Sequence, residues 1–598
     1  MYGIAGKIAK YFIDSKLTPI MIIALLALGI FAVVTTPKEE DPDIVVPMID
    51  IMIPYPGAAP REVEKRVVTP LEKKLWELKD ISYIYSASGD GYGLVTARFH
   101  VGTDPIKALV ELNAKMMASL NLVPPGVQLP PLIKLKSIDD VPIMTLTLWG
   151  KGYDYYSLRR IADTLDNELK TVPNVAQVKI YGGQPRKLRV LLDPAKEAAY
   201  SLSPAYIVHI IQEANQELPS GYVNQNNTLY YVKTGNFIRS KQDLEDLVVG
   251  WYGGKPVYLR DIAKITDGPG GIHDYVTMGF GAASKRYGSP MYPAVTISIA
   301  KRAGTNAVNV ANDVLKKIDS LKGTVIPSSL HITVTRNYGR SAQNKSNELI
   351  EHLFIATASV ILLIAVALGL RESLIVAIAV PVTLAFALFF SKLYGFTINR
   401  VTLFALIFSI GILVDAAIVV VENIHRWFEF FPELPKHDAI IRATDEVGNP
   451  TILATLTIIA ALMPMAFVGG LMGPYMRPIP VNASAAILFS LWVAFTITPW
   501  AAYRLIKHGH ENHDKREKPV INIKETIFWK LYCKMVEPLL ISKSKRVLFY
   551  IAVWSLLGIS VFLILSRAVI VKMLPFDNKS ELSVVLNMPE DTLSLIHI

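Results

Sequence analysis

One acidic side chain lies deep inside a long apolar stretch near the middle of this sequence. Residues 401–423 have the sequence VTLFALIFSIGILVDAAIVVVEN, and Asp415 is that acid. In a helix that rises about 1.5 Å per residue, Asp415 lies roughly 21 Å from Val401. The hydrocarbon core of a membrane is about 30 Å thick, so this carboxyl would reach neither surface easily. Ionisable residues at such a depth mark ion or proton pathways, which makes Asp415 a candidate for carrying protons.

The chemistry available to Asp415 depends on its surroundings. Burial in hydrocarbon disfavours the charged form of a carboxyl, whereas a nearby cation favours it, and a carboxyl held between these effects can bind and release protons. No lysine or arginine lies in the middle of any apolar segment of the chain. We therefore expect the partner cation of Asp415 to come from sequence that this chain lacks. A structural aspartate in a buried helix of a soluble protein is the competing interpretation.

Glu422 and Asn423 form the polar end of the same stretch. We interpret this pair as structural support for the end of a helix. A role in relaying protons along the helix is the alternative.

The composition is typical of a membrane protein. Of the 598 residues, 51% are hydrophobic and 19% are charged, and the mean hydropathy is +0.34, values that are unusual for a soluble protein. Seven apolar segments predict seven transmembrane helices, with very short connections such as 371–373 and a kink or an end at Pro499. The segments are residues 17–34, 353–370, 374–393, 401–421, 452–468, 479–505 and 547–565.

Basic residues are distributed unevenly around these segments. They are concentrated before the first segment and in the stretch 504–546, whereas the short connections on the other side hold only Lys392, Arg400 and Arg477. Because basic residues flanking membrane helices tend to stay in the cytoplasm, this asymmetry predicts a cytoplasmic N-terminus. It also places residues 37–337 outside the cytoplasm.

Residues 37–337 have an α+β pattern. Three similar β-α-β units occur at 45–101, 141–182 and 294–339, which predicts a tandem array of split β-α-β (ferredoxin-like) subdomains. A polar loop with aromatic residues, 216–235, is either a protruding arm that touches a partner or an ordinary surface hairpin. The predicted domains are the N-terminus and first span at 1–36, a first subdomain at 37–135, a second subdomain at 136–183 and 273–337, an insertion at 184–272, and five spans at 338–505.

The C-terminal part combines a cytoplasmic stretch, one more span and an unfinished domain. We predict a cytoplasmic loop at 506–546, whose amphipathic helix 521–540 lies along the inner membrane face or packs on loops of the helix bundle. After the span 547–565, residues 566–598 pass through a proline and an acidic patch to a strand, as the residues after the first span do. We expect them to be the start of a second repeat that is cut short, with a final LSLIHI that is not native.

Several motifs resemble one family of transporters. The sequence SIGILVDAAIVVVEN at 409–423 resembles the fourth transmembrane helix of resistance-nodulation-division (RND) efflux pumps of the multidrug type. Five further motifs resemble the family in the same order, namely PYPGAAPREVEKRVVTPLE, YGGQ at 181–184, IAVP at 378–381, GFTIN at 395–399 and PMAFVGG at 464–470. The resemblance spans residues 1–592. It implies the N-terminal half of an inner-membrane permease with twelve transmembrane helices and a periplasmic porter.

The resemblance also implies a mechanism and partners. In this family protons flow inward through acids of the fourth helix, here Asp415, paired with a lysine of the second half, and drive the export of amphiphilic compounds. It implies a homotrimer with a periplasmic adaptor and an outer-membrane channel, a docking-like role for the insertion at 184–272, and no cofactor. Tyr181 matches an aromatic residue of the substrate pocket, and a tyrosine of the porter core is the competing interpretation.

One departure from the family pattern raises an alternative substrate. The drug-exporting branch usually has two adjacent acids in the fourth helix, whereas Ala416 follows Asp415 here, as in the heavy-metal branch. The segment EEDPDIVVPM at 39–48 resembles the drug branch, which we favour. Metal export would need clustered Met, His or Cys ligands. The pair Met116-Met117 is more typical of a core, and His508, His510 and His513 are more typical of a solvated loop, so we predict no metal site.

Other classes of function have little support in the sequence. A non-transporting membrane receptor or lipid-handling relative would share the helices but need no proton site. An intramembrane aspartyl protease needs a second acid within the membrane, because one carboxyl acts as base and the other as acid. The GxxxxGK[ST] motif of ATPases is absent. The net charge of +10 is the only feature in favour of nucleic-acid binding, and the single cysteine, Cys533, excludes internal disulfides.

Overall fold

The computed structural model describes most of the chain as two compact units. The described residues are 2–42, 44–137, 140–272, 274–470, 472–506, 527–569, 582–584 and 586. The first unit comprises Met1–His508 and the second Gly509–Ile598, and each is described by itself.

The helices in chain order are α1 (Ile4–Phe12), α2 (Leu17–Thr35), α3 (Pro60–Val63), α4 (Thr69–Leu75), α5 (Pro105–Ala118), α6 (Tyr155–Lys170), α7 (Pro194–Ala199), α8 (Pro204–Ala214), α9 (Lys241–Glu245), α10 (Leu259–Ile262), α11 (Ala307–Leu321), α12 (Tyr338–Ala367), α13 (Leu370–Leu393), α14 (Arg400–Phe430), α15 (Lys436–Leu462), α16 (Met472–Met476), α17 (Pro478–Leu505), α18 (Ile527–Ile541) and α19 (Lys543–Leu565).

The strands are β1 (Met48–Pro54), β2 (Ile81–Gly89), β3 (Tyr92–Phe99), β4 (Leu132–Lys136), β5 (Pro142–Trp149), β6 (Val175–Tyr181), β7 (Arg186–Leu192), β8 (Glu217–Gln225), β9 (Thr228–Gly235), β10 (Val248–Tyr252), β11 (Lys255–Tyr258), β12 (Ala263–Pro269), β13 (Thr277–Met278), β14 (Tyr292–Lys301) and β15 (His331–Asn337).

Within the described residues, seven helical stretches are long and apolar enough to cross a membrane, by length and composition. They contain α2, α12, α13, α14, α15, α17 and α19, one for each predicted apolar segment. A helix needs about 20 apolar residues to span the hydrocarbon core. The apolar segments therefore predicted the helices correctly, although the helices extend beyond them.

One detail of the predicted spans is wrong, and at Pro499 one of the two predicted alternatives, an end of the helix, is excluded. Residues 371–373 are not a connection but belong to the first turn of α13, because the chain turns earlier, at Gly369, whose φ of 125° suits glycine. The helix α17 does not end at Pro499 but continues to Leu505. Ala501 and Ala502, which follow this proline, are buried, so the helix remains packed where proline removes a backbone hydrogen bond.

Within the first unit, the helix α14 packs against four other apolar helices, α12, α13, α15 and α17. Its buried face carries small and branched residues, including Ala405, Ser409, Leu413, Ala417 and Val420. Small residues let neighbouring helix backbones approach closely. This packing fixes the rotation of α14 about its own axis. Each of its residues therefore faces either a neighbouring helix or the exposed side of α14.

The first sheet has the strand order β2-β3-β1-β4, and its described pairings are antiparallel. Ile49, Ile51 and Ile53 of β1 are buried at alternate positions, as expected for a strand with one covered face. They share a core with residues 63–75 and with α5. The strands and helices of this subdomain thus follow one another along the chain in the order β-α-β-β-α-β.

The second sheet joins residues from both sides of an insertion. Its strand β14 lies between β5 and β6, and β15 pairs with β5 on the other side. The helices α6 and α11 bury their apolar faces against it. Because β14 pairs with two strands over most of its length, a displacement of β14 moves the sheet with it.

The insertion between β6 and β14 has its own small core and a projecting hairpin. Ile207, Val249 and Leu259 are buried in that core. The hairpin consists of β8 and β9, which pair with each other and turn at Asn226 and Asn227, both with positive φ, as hairpin turns require. Almost every residue of the hairpin is exposed.

The N-terminal helix α1 was not predicted from the sequence. Its Ala5, Gly6 and Ala9 are buried, and it packs against α15 and α17. The basic character of residues 1–16 concealed this apolar face.

The second unit contains α18 and α19, separated by Ser542. The predicted amphipathic helix 521–540 lies partly outside the described residues, and its described part corresponds to α18, which runs from Ile527 to Ile541. Most of the predicted second repeat, 566–598, lies outside the described residues. All three histidines at 508, 510 and 513 lie outside them.

Candidate proton-translocation site

The start of α14 is held by a capping network, which sets the position of every residue that follows. The side chain of Asn399 accepts hydrogen bonds from the backbone N–H groups of Val401 and Thr402, both at 3.0 Å. The hydroxyl of Thr402 accepts one in return from the backbone N–H of Asn399 at 3.0 Å. Such reciprocal caps satisfy the free donors of a helix end.

Asp415 lies on the exposed face of α14. The residues on either side of it, Val414 and Ala416, are buried, whereas Asp415 is exposed, as are Gly411 and Glu422 on the same face. Among the described residues, none forms a hydrogen bond or an ion pair with the carboxylate of Asp415. The described helices therefore bring no cation to Asp415.

Asp415 lines a cleft of about 210 Å³ between α14, α15 and α17. Most of its wall is apolar, but Thr451, Thr455 and Ser490 add hydroxyl groups. At about 30 Å³ for each molecule, this volume accommodates several waters. The hydroxyl of Ser490 donates to the backbone oxygen of Leu413 and so ties α17 to α14 beside the cleft.

Ala416 directly follows Asp415 on α14. Its side chain is buried and lines the same cleft as Asp415. Asp415 is accordingly the one carboxylate among the residues lining this cleft.

Asn423 joins α14 to α15. Its buried amide donates to the backbone oxygen of Ala443 at 2.7 Å and to Oε2 of Glu446 at 3.0 Å. Glu446 also accepts hydrogen bonds from Arg426 and from the indole of Trp427. Glu422, by contrast, is exposed. Asn423 thus links α14 to α15 by hydrogen bonds. The expectation that Glu422 and Asn423 form the end of the helix is wrong, because α14 continues to Phe430.

A second polar contact in this part of α14 was not predicted. Glu372 of α13 is buried, and its Oε1 lies 3.2 Å from Nδ1 of His425 on α14. The other ring nitrogen, Nε2, lies 3.5 Å from Glu429. The two partners are 53 positions apart in the sequence, so no local pattern indicates the contact.

At the other end of α14, the segment 37–41 lies against the start of the helix. The backbone N–H of Glu39 donates to the oxygen of Ile398 at 3.0 Å, and the N–H of Ile398 donates to the oxygen of Pro37 at 2.9 Å. Nε of Arg400 lies 2.5 Å from Oδ1 of Asp41. The segment is therefore bound to α14 by backbone bonds and by an ion pair.

Tyr181 ends β6 opposite Thr296 of β14. Its side chain is 47% exposed, which argues against the interpretation as a core tyrosine. Tyr155, the first residue of α6, makes an edge-to-face ring contact with Tyr275. Burial raises the pKa of Tyr155.

The described residues contain no group of three or more His, Cys, Asp or Glu side chains that could hold a metal ion. Met116 packs against the core of the first sheet, and Met117 is exposed. The two methionines therefore do not converge on one site.

Comparison with known proteins identifies the class of transporter. The model of the AcrB/AcrD/AcrF family matches residues 8–594. The chain belongs to this family of RND multidrug efflux permeases, which confirms the resemblance drawn from its motifs.

Among individual relatives, the chain is similar to the multidrug resistance protein MdtC of several bacteria. It is 29% identical to that of Pantoea ananatis over 502 residues, which cover 83% of this chain and 48% of the relative. It is 28% identical to that of Citrobacter koseri over 520 residues, which cover 86% of this chain and 49% of the relative. The chain thus spans about half the length of the curated relatives it matches.

Proposed function

We propose that the complete protein exports amphiphilic compounds in exchange for protons and that Asp415 is the residue that carries the proton. The observation that supports this most strongly is the position of Asp415, the one carboxylate on a narrow cleft between membrane helices. A carboxyl in such a place changes charge when it binds a proton. The two charge states favour different surroundings, so protonation can shift the equilibrium between two positions of α14.

The proposal includes a route for the proton. Water in the cleft, held by the hydroxyl groups of Thr451 and Thr455, would bring protons to Asp415. The cation that favours the charged form would come from the rest of the complete protein. With the topology derived from the basic residues, the N-terminus is cytoplasmic, the chain crosses the inner membrane several times, and residues 37–337 are periplasmic.

The extramembrane sheets are proposed to form the porter, with subdomains at 37–135 and at 136–183 plus 273–337. The exposed ring of Tyr181, at the end of β6, would offer an aromatic contact to amphiphilic substrates. Relatives of this chain are named for multidrug resistance, which fits such substrates. Export of heavy-metal cations is the alternative that Ala416 favours, but the described residues contain no group of three or more His, Cys, Asp or Glu side chains that could hold a metal ion.

The proposed assembly is a homotrimer with a periplasmic adaptor and an outer-membrane channel. The hairpin of β8 and β9 supports a contact with another protein chain, because Tyr222, Tyr230 and Tyr231 are exposed on it. Exposed apolar patches of this kind mark interaction sites. The insertion at 184–272 would then have a docking role.

Transport by the full-length protein in proteoliposomes tests the proposal. With Asp415→Asn, which keeps the size of the side chain and removes its charge, we expect substrate export driven by a proton gradient to fall at least tenfold. The matched control is Glu422→Gln, which makes the same change at another exposed position of α14 and should leave export within twofold. Export that continues with Asp415→Asn would refute the proton role. A protein that binds substrate but never moves it would favour the non-transporting receptor.

A further inference from the structure

The segment 37–41 connects the helix that carries Asp415 to the second sheet. It follows α2 directly and lies between the membrane helices and β1. We propose that this segment is a clasp that transmits movement of α14 to β14, with Glu39 and Lys301 as its positioning residues. The inference rests on the proposed function, because it needs α14 to move when Asp415 gains or loses a proton.

The membrane side of the clasp is bound to the first residues of α14. Pro37 and Glu39 exchange backbone hydrogen bonds with Ile398, immediately before the Asn399 cap. Asp41 pairs with Arg400, and the hydroxyl of Tyr475 donates to Oδ1 of Asp41 at 3.1 Å. Nη2 of Arg400 donates to the same hydroxyl at 2.7 Å. A shift of the start of α14 must therefore carry the segment with it or break these contacts.

The sheet side of the clasp is a buried ion pair. Nζ of Lys301 lies 2.7 Å from Oε1 of Glu39, and only 7% and 3% of the two side chains are exposed. Breaking a buried ion pair is strongly unfavourable, because each buried charge loses the partner that compensates it in this pair. The ion pair between Glu39 and Lys301 is therefore costly to separate.

Lys301 is the last residue of β14. That strand pairs with both β5 and β6, and its Thr296 lies opposite Tyr181. A force on Lys301 therefore acts on β14, which pairs with β6, the strand that ends at the exposed Tyr181.

The two charged contacts of the clasp are separated by only a short length of chain. Glu39 and Asp41 are two residues apart, which is at most about 7 Å of extended chain. Glu39 carries the charged contact to the sheet, and Asp41 carries the one to α14. A displacement of α14 by an ångström or more therefore reaches β14 without being absorbed by a flexible loop.

The test measures two fluxes in proteoliposomes that contain the full-length protein, namely proton uptake and substrate export. The variants are Glu39→Gln and Lys301→Met, together with the charge reversal that combines Glu39→Lys with Lys301→Glu. The matched control is Lys316→Met, which removes the lysine of an exposed ion pair on α11, in the same subdomain. We expect each single variant to lower export at least tenfold while proton uptake stays within twofold. The charge reversal should bring export back to within threefold of the unmodified protein, and the control should leave both fluxes within twofold.

Two results would overturn the clasp. One is export within twofold of the unmodified protein in both single variants. The other is an equal fall of export and proton uptake that charge reversal does not repair, since this indicates a structural role alone. If the single variants do not accumulate in membranes, Asp41→Asn should separate the two fluxes in the same way, and fluxes that stay coupled would overturn the proposal. Proton uptake that persists with Asp415→Asn refutes the proposed function instead, so the two failures are distinguishable.

Discussion

Substitution of Asn423 separates a packing role from a proton-relay role within α14. Asn423→Ala removes two hydrogen bonds, one to the backbone oxygen of Ala443 and one to the carboxylate of Glu446. A neutral hydrogen bond contributes about 1 kcal/mol, and one to a charged group about 1.5–3 kcal/mol. Glu446 is half exposed and keeps its contacts with Arg426 and Trp427, so the second contribution belongs at the low end. We therefore expect a loss of about 2 kcal/mol in the free energy of unfolding.

The assay for Asn423→Ala is denaturant unfolding of the full-length protein in detergent, combined with the pH dependence of export. A packing role predicts lower stability with an unchanged pH profile, because no titrating group has been removed. The control Glu422→Gln lies on the exposed face and should change stability by less than about 0.5 kcal/mol. A stability loss below about 0.5 kcal/mol for Asn423→Ala, or a shifted pH profile, would refute the packing role.

Two further predictions concern parts of the fold away from Asp415. A Cβ at Gly29 of α2 would lie 2.6 Å from Cα of Ala385 on α13, so Gly29→Ala should destabilise the protein by about 1–3 kcal/mol in the same unfolding assay. Ala385→Gly, made together with Gly29→Ala, should recover part of that loss. As a control, a Cβ at Gly411 would meet nothing within 4 Å, so Gly411→Ala should not destabilise the protein. Equal effects of Gly29→Ala and Gly411→Ala on stability would contradict the packing of α2 against α13. Hydrogen bonds from Lys115 and Lys74 lower the pKa of Glu77 from 4.5 to about 2. The contribution of Glu77 to stability should therefore be complete above about pH 4.5 and disappear as the pH falls to about 2. Unfolding of Glu77→Gln across this range checks the prediction, which fails if its difference from the unmodified protein grows as the pH falls.

Elements with a regular hydrophobic period were predictable from the sequence. The β-α-β pattern of residues 45–101 predicted β1, and the apolar run from Val401 predicted α14. The limits of the membrane helices were less predictable, because apolar composition marks only the part of a helix inside the hydrocarbon. The helix α12 therefore begins at Tyr338, well before its apolar segment at 353–370.

The candidate site was predictable only in part, because its contacts differ in sequence separation. Asp415 was recognisable since a charge within a span is costly and rare. The pairs Glu39–Lys301 and Asn423–Glu446 join residues that are 262 and 23 positions apart. No local period encodes such pairs, because the packing of separate elements creates them. Identifying them required the three-dimensional structure.

The central claim is that Asp415 binds and releases a proton. Infrared difference spectroscopy of the full-length protein tests it most directly, because a protonated carboxyl has a carbonyl stretching band that a carboxylate lacks. We expect acidification to produce this band in the unmodified protein and in Glu422→Gln, and the band to be lost in Asp415→Asn. A band of unchanged intensity in Asp415→Asn would contradict the account.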